Sequence, residues 1–326
     1  MNKAIFVAAA TATSTLALLG APARAQAACD DVSITEMDWA SSAIVTNVAV
    51  FLMEQGYGCD VTVVPSSTTP ALASVAETGE PDILTELFTN GTPAYDELVA
   101  EGRVVALTDV LSDGGTQGWY VPTYLVEDHP ELATLEGVLA NPELVGGRLH
   151  SCPEGWTCKD TTEALARAVD AEGRGLEVFQ HGSGETLAAS MAAAYESREP
   201  WLGYYWAPTS LLGRYDMTMV DLGPYDEETF FCNADPDCEG DGVTAYSTNP
   251  IKTVVTTSFE ESHPAIAELL RRVQFTNDQM GALLAWQEEN NASAEEAAVH
   301  FLTTQPDVWQ EWVSEDARAK LASLAN

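Results

Sequence analysis

Apolar and polar positions alternate from residue 32 to 39; then Ile44, Val45, Val48, Ala49 and Leu52 recur on one helical face until Gly56 breaks the pattern. The alternation predicts a strand, and the 3.6-residue period predicts a helix packed on it. A second strand follows over 60–64. Thr69-Pro70 reads as an N-cap with proline at the first helical position, opening a helix that Gly79 closes. Residues 82–88 give the next strand and 93–100 the next helix. This βαβαβα order predicts a mostly parallel sheet covered by helices.

After the strand at 104–111, the loop Ser112-Asp113-Gly114-Gly115 leads into an apolar stretch, Trp119-Tyr120-Val121-Pro122, read as a crossing into a second lobe. That lobe repeats the alternation: a strand at 176–179, the loop His181-Gly182-Ser183-Gly184, an alanine-rich helix at 185–196 and a buried strand at 201–206. Residues 251–257 cross back, and the remainder is helical by periodicity, with Trp286, Trp309 and Trp312 on amphipathic helices as packing residues. The expected architecture is α/β in two lobes, residues 28–120 plus 253–326 and residues 121–252, with the two crossings as a hinge. A chain of this length exceeds one typical core.

Residues 1–27 read as a signal peptide: Lys3 precedes the uncharged apolar run 4–19, and small residues surround cleavage points after Ala25 or Ala27. Thr11, Thr13, Ser14 and Thr15 dilute the run below the ~20 apolar residues of a membrane span. The mature protein is therefore expected to be soluble in the periplasm. Its six cysteines suit an oxidising compartment. The short spacings Cys152/Cys158 and Cys232/Cys238 favour two local staples, which leaves Cys29 with Cys59, and no Cys-x-x-Cys pair suggests zinc or redox chemistry. The charge of −36 becomes −38 without Lys3 and Arg24. Such an acidic chain excludes nucleic acid as a partner, because phosphate binding needs clustered Lys and Arg.

Catalytic motifs are missing. Neither a phosphate loop nor a dinucleotide fingerprint occurs, and Gly182-Ser183-Gly184 lacks the first glycine of a nucleophile elbow, which His181 replaces. That turn reads better as a helix start with backbone N–H groups open to an anion. Asn233-Ala234-Asp235-Pro236-Asp237-Cys238-Glu239-Gly240-Asp241 places oxygens at alternate positions before a glycine, so Asp235, Asp237 and Glu239 are candidate ligands for a structural calcium ion; the alternative is a solvated acidic loop pinned by a disulfide. No other cofactor is required. What remains distinctive is tryptophan. Trp39, Trp119 and Trp206 fall at strand ends in this reading, and ligands in open α/β sheets bind beyond such ends. Indole faces converging on a cleft would make a cage for a methylated ammonium or sulfonium, against the alternative of ordinary packing.

Four stretches, in order, resemble the periplasmic substrate-binding proteins of ABC transporters for glycine betaine and related osmolytes: Asp38-Trp39-Ala40-Ser41-Ser42, Met53-Glu54-Gln55-Gly56-Tyr57, Gly118-Trp119-Tyr120-Val121-Pro122 and Gly203-Tyr204-Tyr205-Trp206-Ala207-Pro208. The branch that binds trimethylamine N-oxide and dimethylsulfoniopropionate also has a counterpart of the loop Cys152-Pro153-Glu154-Gly155-Trp156-Thr157-Cys158. The resemblance implies a two-lobe periplasmic binding protein fold, a non-enzymatic and monomeric importer subunit, and an ABC permease in the inner membrane as partner. It implies a cage of Trp39, Trp119 and Trp206, further walls from Trp156 and Trp201, and acidic partners in Glu86 and Glu154. The family's Trp-x-Pro is often followed by a histidine that holds the ligand carboxylate; Thr209 stands here, which removes that route. Choline is the rival ligand, and a secreted hydrolase using paired carboxylates is the rival of another class.

Overall fold

The computed structural model describes Cys29, residues 31–238 and residues 240–325. Residues 1–27, read above as a signal peptide, and Glu239 of the acidic loop lie outside the described residues. Nine strands form a mixed sheet: β1 (Asp31–Met37), β2 (Asp60–Ser66), β3 (Ile83–Phe88), β4 (Val104–Pro122), β5 (Arg148–Ser151), β6 (Glu177–Gln180), β7 (Gly203–Ala207), β8 (Met217–Met219) and β9 (Asn249–Thr256). Their order is β2-β1-β3-β9-β4-β7-β5-β6, with β8 beside the end of β4.

The sheet is parallel toward both edges, where β1 pairs β2 and β3 and where β5 pairs β6 and β7. Its centre is antiparallel, because β9 pairs β3 and β4, and β4 pairs β7. The expectation of a mostly parallel sheet is thus corrected in the middle: the two crossing segments are themselves strands of the sheet, and they run against their neighbours. Ser112 to Gly115 is also not a loop. β4 continues through it with shifted register, still pairing Gly115 with Asn249, and Gly114 takes a left-handed φ of +69° at the irregularity. Strands β5 and β8, of four and three residues, are too short to carry a readable alternation.

Apolar side chains gather in two large clusters. In one, Val32 and Ile34 of β1 and Ile44, Val48 and Leu52 of the following helix meet Phe275, Phe301, Trp309 and Trp312 from the C-terminal helices. The stripe read from the sequence is the buried face of helix Ala40–Phe51, but Gly56 does not end it; the chain winds on as a π-helical turn to Tyr57 and stops at Gly58, whose φ is +78°. The second cluster joins Trp119, Leu149, Leu165, Leu187, Trp201 and Tyr204. A smaller one, with Met37, Leu72, Val75, Leu84 and Leu98, seals the helices Thr68–Thr78 and Pro93–Ala100 onto the sheet. β4 and β9 are the strands by which the chain passes between the large clusters.

Disulfides link Cys29 with Cys59, Cys152 with Cys158 and Cys232 with Cys238. Among the described residues no helix is long and apolar enough to cross a membrane.

Candidate functional site

Three of the tryptophans meet although they are far apart in sequence. β1 ends at Met37, and Trp39 takes extended backbone at the N-cap of helix Ala40–Phe51, so its side chain leaves the sheet at the carboxyl end of the strand. Trp206 lies one residue before the end of β7, followed by a cis Ala207-Pro208 bond that turns the chain away. Trp156 hangs in the loop closed by Cys152 and Cys158, just after Gly155 at φ +88°. It stands between the other two, edge-on to both: 5.6 Å and 80° from Trp39, 5.0 Å and 83° from Trp206. Gly184 makes room for it, since a Cβ there would lie 2.8 Å from Trp156 Cζ2.

Two carboxylates hold two of the indoles, Trp39 and Trp156, by their N–H groups. Trp156 Nε1 donates to Asp38 Oδ1 at 2.8 Å, and Trp39 Nε1 donates to Glu86 Oε2 at 2.7 Å, an oxygen that also accepts from Ser41 Oγ at 2.7 Å. With the N–H edges occupied, the rings offer their π faces, and an anion at the N–H enriches the face that a cation would meet. Glu86 is fully buried, and burial raises its pKa from 4.5 to about 7 against the two hydrogen bonds that lower it. Asp38 is also raised, chiefly by burial, while the Trp156 bond pulls it down and Glu185 pushes it up.

A cavity of about 30 Å³ lies against these rings, lined by Trp39, Trp156, Trp206, Phe88, Tyr204 and, among its polar neighbours, Gln117 and Asn249. On another side of the same three indoles a cleft of about 360 Å³ collects Glu36, Asp38, Glu185 and Thr209. Among the described residues no Lys, Arg or His lines either space. The smaller one holds a water or two. A trimethylated head enters it only if an indole moves outward.

Other expected site residues lie elsewhere. Trp119 is a correction in position: it sits inside β4 rather than at a strand end, with no exposure, and it lines neither space. It pairs opposite Tyr204, and Tyr246 packs on Tyr204 with ring centres 5.7 Å apart. Trp201 is equally buried; it stacks on His150 at 5.4 Å and gives its N–H to Ser190. Glu154, whose side chain is 81% exposed, faces solvent beside the Gly155 turn, where it accepts from Gln180 and neighbours Lys159. Glu86 grips Trp39 from behind rather than lining either space. The Gly182 to Gly184 turn is a helix start closed by a capping box, in which Ser183 and Thr186 satisfy each other's N–H groups.

Among the described residues no group of three His, Cys, Asp or Glu side chains is arranged to hold a metal ion. Asp235 accepts from the backbone N–H of Asp237, and Asp241 is paired with Arg167, so the acidic loop has partners of its own. Sequence reasoning missed Phe88, Tyr204, Gln117 and Asn249. Tyr204 had a signal, lying two residues from Trp206 on a strand and so on the same face; the others depend on strand pairing that no local pattern reveals.

The structure is similar to solved osmolyte-binding proteins. Against the glycine betaine, L-proline-binding protein ProX of Borrelia burgdorferi the TM-score is 0.72 at 17% identity, covering 89% of this chain and 99% of that one. Against an ABC-transporter choline-binding protein in complex with choline it is 0.73 at 16% identity, covering 90% and 98%. Against lactococcal OpuAC closed on glycine betaine it is 0.68 at 18% identity, covering 87% and 100%. At these identities the likeness establishes the fold. A trimethylamine N-oxide-binding protein of Pelagibacter ubique (strain HTCC1062) is 27% identical over 207 residues, which span 61% of this chain and 63% of that protein, less than two thirds of its length. Residues 30–304 match the model of the substrate binding domain of ABC-type glycine betaine transport systems. That match removes the hydrolase reading: the chain belongs to this family of transporter substrate-binding domains and is not an enzyme.

Proposed function

We propose that this chain captures a small methylated onium osmolyte, trimethylamine N-oxide foremost, with dimethylsulfoniopropionate and glycine betaine close behind, and delivers it to an ABC permease in the inner membrane from the periplasm. The observation that carries this reading is the set of three indoles, edge to face around one small cavity, with the N–H groups of Trp39 and Trp156 held by carboxylates and no basic side chain among the lining residues. A weakly hydrated cation gains about 2 kcal/mol from each desolvated ring. Micromolar affinity needs about 8 kcal/mol, so three rings supply most of it and methyl burial with one or two hydrogen bonds the rest. A ligand carboxylate finds neither a family histidine, since Thr209 caps the helix Ser210–Arg214 with its hydroxyl, nor an Arg or Lys. An N-oxide oxygen asks for less.

Admission of the head requires the rings to part. Trp39 follows β1, whose Val32 and Ile34 belong to the first apolar cluster, although its ring packs against the second; Trp156 and Trp206 belong to the second, and the Trp156 to Asp38 bond joins the two segments. We therefore place the hinge of the lobes at β4 and β9, and assign that bond to the closed state. Calorimetry against trimethylamine N-oxide, dimethylsulfoniopropionate, glycine betaine, choline and carnitine should give saturable 1:1 heats in that order of affinity, and solution scattering should show a smaller radius of gyration at saturation. Tight binding of the zwitterions with no heat from trimethylamine N-oxide would overturn the ordering; an unchanged scattering profile would overturn the closure.

A further inference from the structure

We infer that Gln117 is the hydrogen-bond donor that recognises the oxygen of the bound osmolyte and so separates oxygen-bearing onium compounds from bare alkylammonium ions. The inference rests on the osmolyte reading above and adds the polar half of the site. Gln117 is directly opposite Trp206 in the β4/β7 pairing, which puts both side chains on one face of the sheet within contact distance. It is only 8% exposed, and it lines the aromatic cavity.

Its amide is oriented by Tyr204. The Tyr204 hydroxyl donates to Gln117 Oε1 at 2.7 Å, and this is the only hydrogen bond of that hydroxyl among the described residues. Burial raises the pKa of Tyr204 well above its usual value, so the hydroxyl keeps a proton to donate. Turning the amide over would leave that buried hydrogen without an acceptor, at the cost of an unsatisfied donor. Oε1 therefore faces Tyr204, and Nε2 is the free end. Nε2 makes no hydrogen bond among the described residues, yet it is not sealed from solvent-sized space as Glu86 Oε1 is. The space it shares is the cavity. The other amide there, Asn249, is engaged with Asn90 through both Oδ1 and Nδ2. Of the two amides, Gln117 is the one with its whole NH₂ free to give a proton to an N-oxide or carboxylate oxygen while the methyl groups rest on the indoles, and it stands directly opposite Trp206.

Calorimetry on the full chain and on Gln117→Leu and Gln117→Glu tests this with two probes, trimethylamine N-oxide and tetramethylammonium, the latter having a methylated head and no acceptor. Affinity for trimethylamine N-oxide should fall about ten- to a hundredfold in both variants, as expected when a hydrogen bond to a charged oxygen is lost. Tetramethylammonium should stay within about threefold in Gln117→Leu, which also certifies that the cage has folded, and should hold or gain in the isosteric Gln117→Glu. Parallel loss of both probes in both variants would make Gln117 a mere support of the fold, and unchanged trimethylamine N-oxide affinity would remove it from recognition. Each result overturns the inference. A wild-type chain that binds neither probe would instead remove the osmolyte reading on which it stands.

Discussion

Trp156→Ala should weaken osmolyte binding by at least about 2 kcal/mol, roughly thirtyfold, and by more than Trp39→Ala or Trp206→Ala. The ring is the middle member of the three, in contact with both of the others, so its removal takes the shared wall and leaves Trp39 against Phe88 and Trp206 against Tyr204 and Tyr205 alone. It also deletes the bond to Asp38, leaving a carboxylate whose ionisation is already opposed by burial and by Glu185. Trp119→Ala should behave differently. That side chain is fully buried in the second cluster, and a large cavity there costs about 3–5 kcal/mol of folding stability, whereas the affinity of the remaining folded protein should change only a few-fold. Calorimetry and denaturant melts on the same variants separate the two behaviours. If Trp119→Ala melts normally and fails to bind, Trp119 belongs in the cage; if Trp156→Ala binds normally, the cage account fails at its centre.

The contrast between those two tryptophans marks how far the sequence could be read. Alternating or apolar runs announced β1, β2, β3, the first part of β4, β6, β7 and β9, because each is bounded by a recognisable helix or turn. Cysteine spacing announced the disulfides, because two of them close loops of six residues. Trp39 and Trp206, expected at strand ends, do lie at the carboxyl ends of β1 and β7 and meet through Trp156 in the candidate site. Trp119 was misplaced by one local signal: Ser112-Asp113-Gly114-Gly115 looks like a turn, and only pairing with β9 shows β4 running through it to Pro122. Gln117 and Phe88 were invisible for a related reason. Their place in the site is set by register between strands, Gln117 with Trp206 (89 residues apart) and Phe88 with Ile251 (163 apart), which no window along the chain contains. Glu154 and Glu86 were expected alike as acidic partners from the family resemblance, but Glu154 precedes a left-handed glycine in a surface turn and faces solvent, whereas Glu86 is buried in β3.

Glu86 carries the second large expectation, in stability rather than affinity. A shift between β3 and β9 falls between Leu84 and Leu87, and there Glu86 adopts φ +52°, a left-handed conformation uncommon outside glycine, with its carboxyl buried against Trp39 and Ser41. Its pKa rises from 4.5 to about 7 in the folded chain, so between those values the native state holds a proton that the unfolded state has released. Stability must then fall as pH rises through this window and level off above it, by about 3 kcal/mol for a shift of that size. Glu86→Gln should remove the slope. The amide oxygen can still accept from Trp39 and Ser41, so the variant should match the parent near pH 5 and melt higher than it at pH 8, less whatever its NH₂ loses at the oxygen that has no partner now. Osmolyte affinity should move the other way at pH 8, because the neutral amide no longer enriches the Trp39 ring that faces the cation. Thermal melts and calorimetry at the two pH values check both signs. A variant less stable than the parent by the same amount at pH 5 and pH 8 would mean that the carboxylate is ionised in the fold throughout, and that Trp39 is held by a full charge rather than by a group poised to lose it.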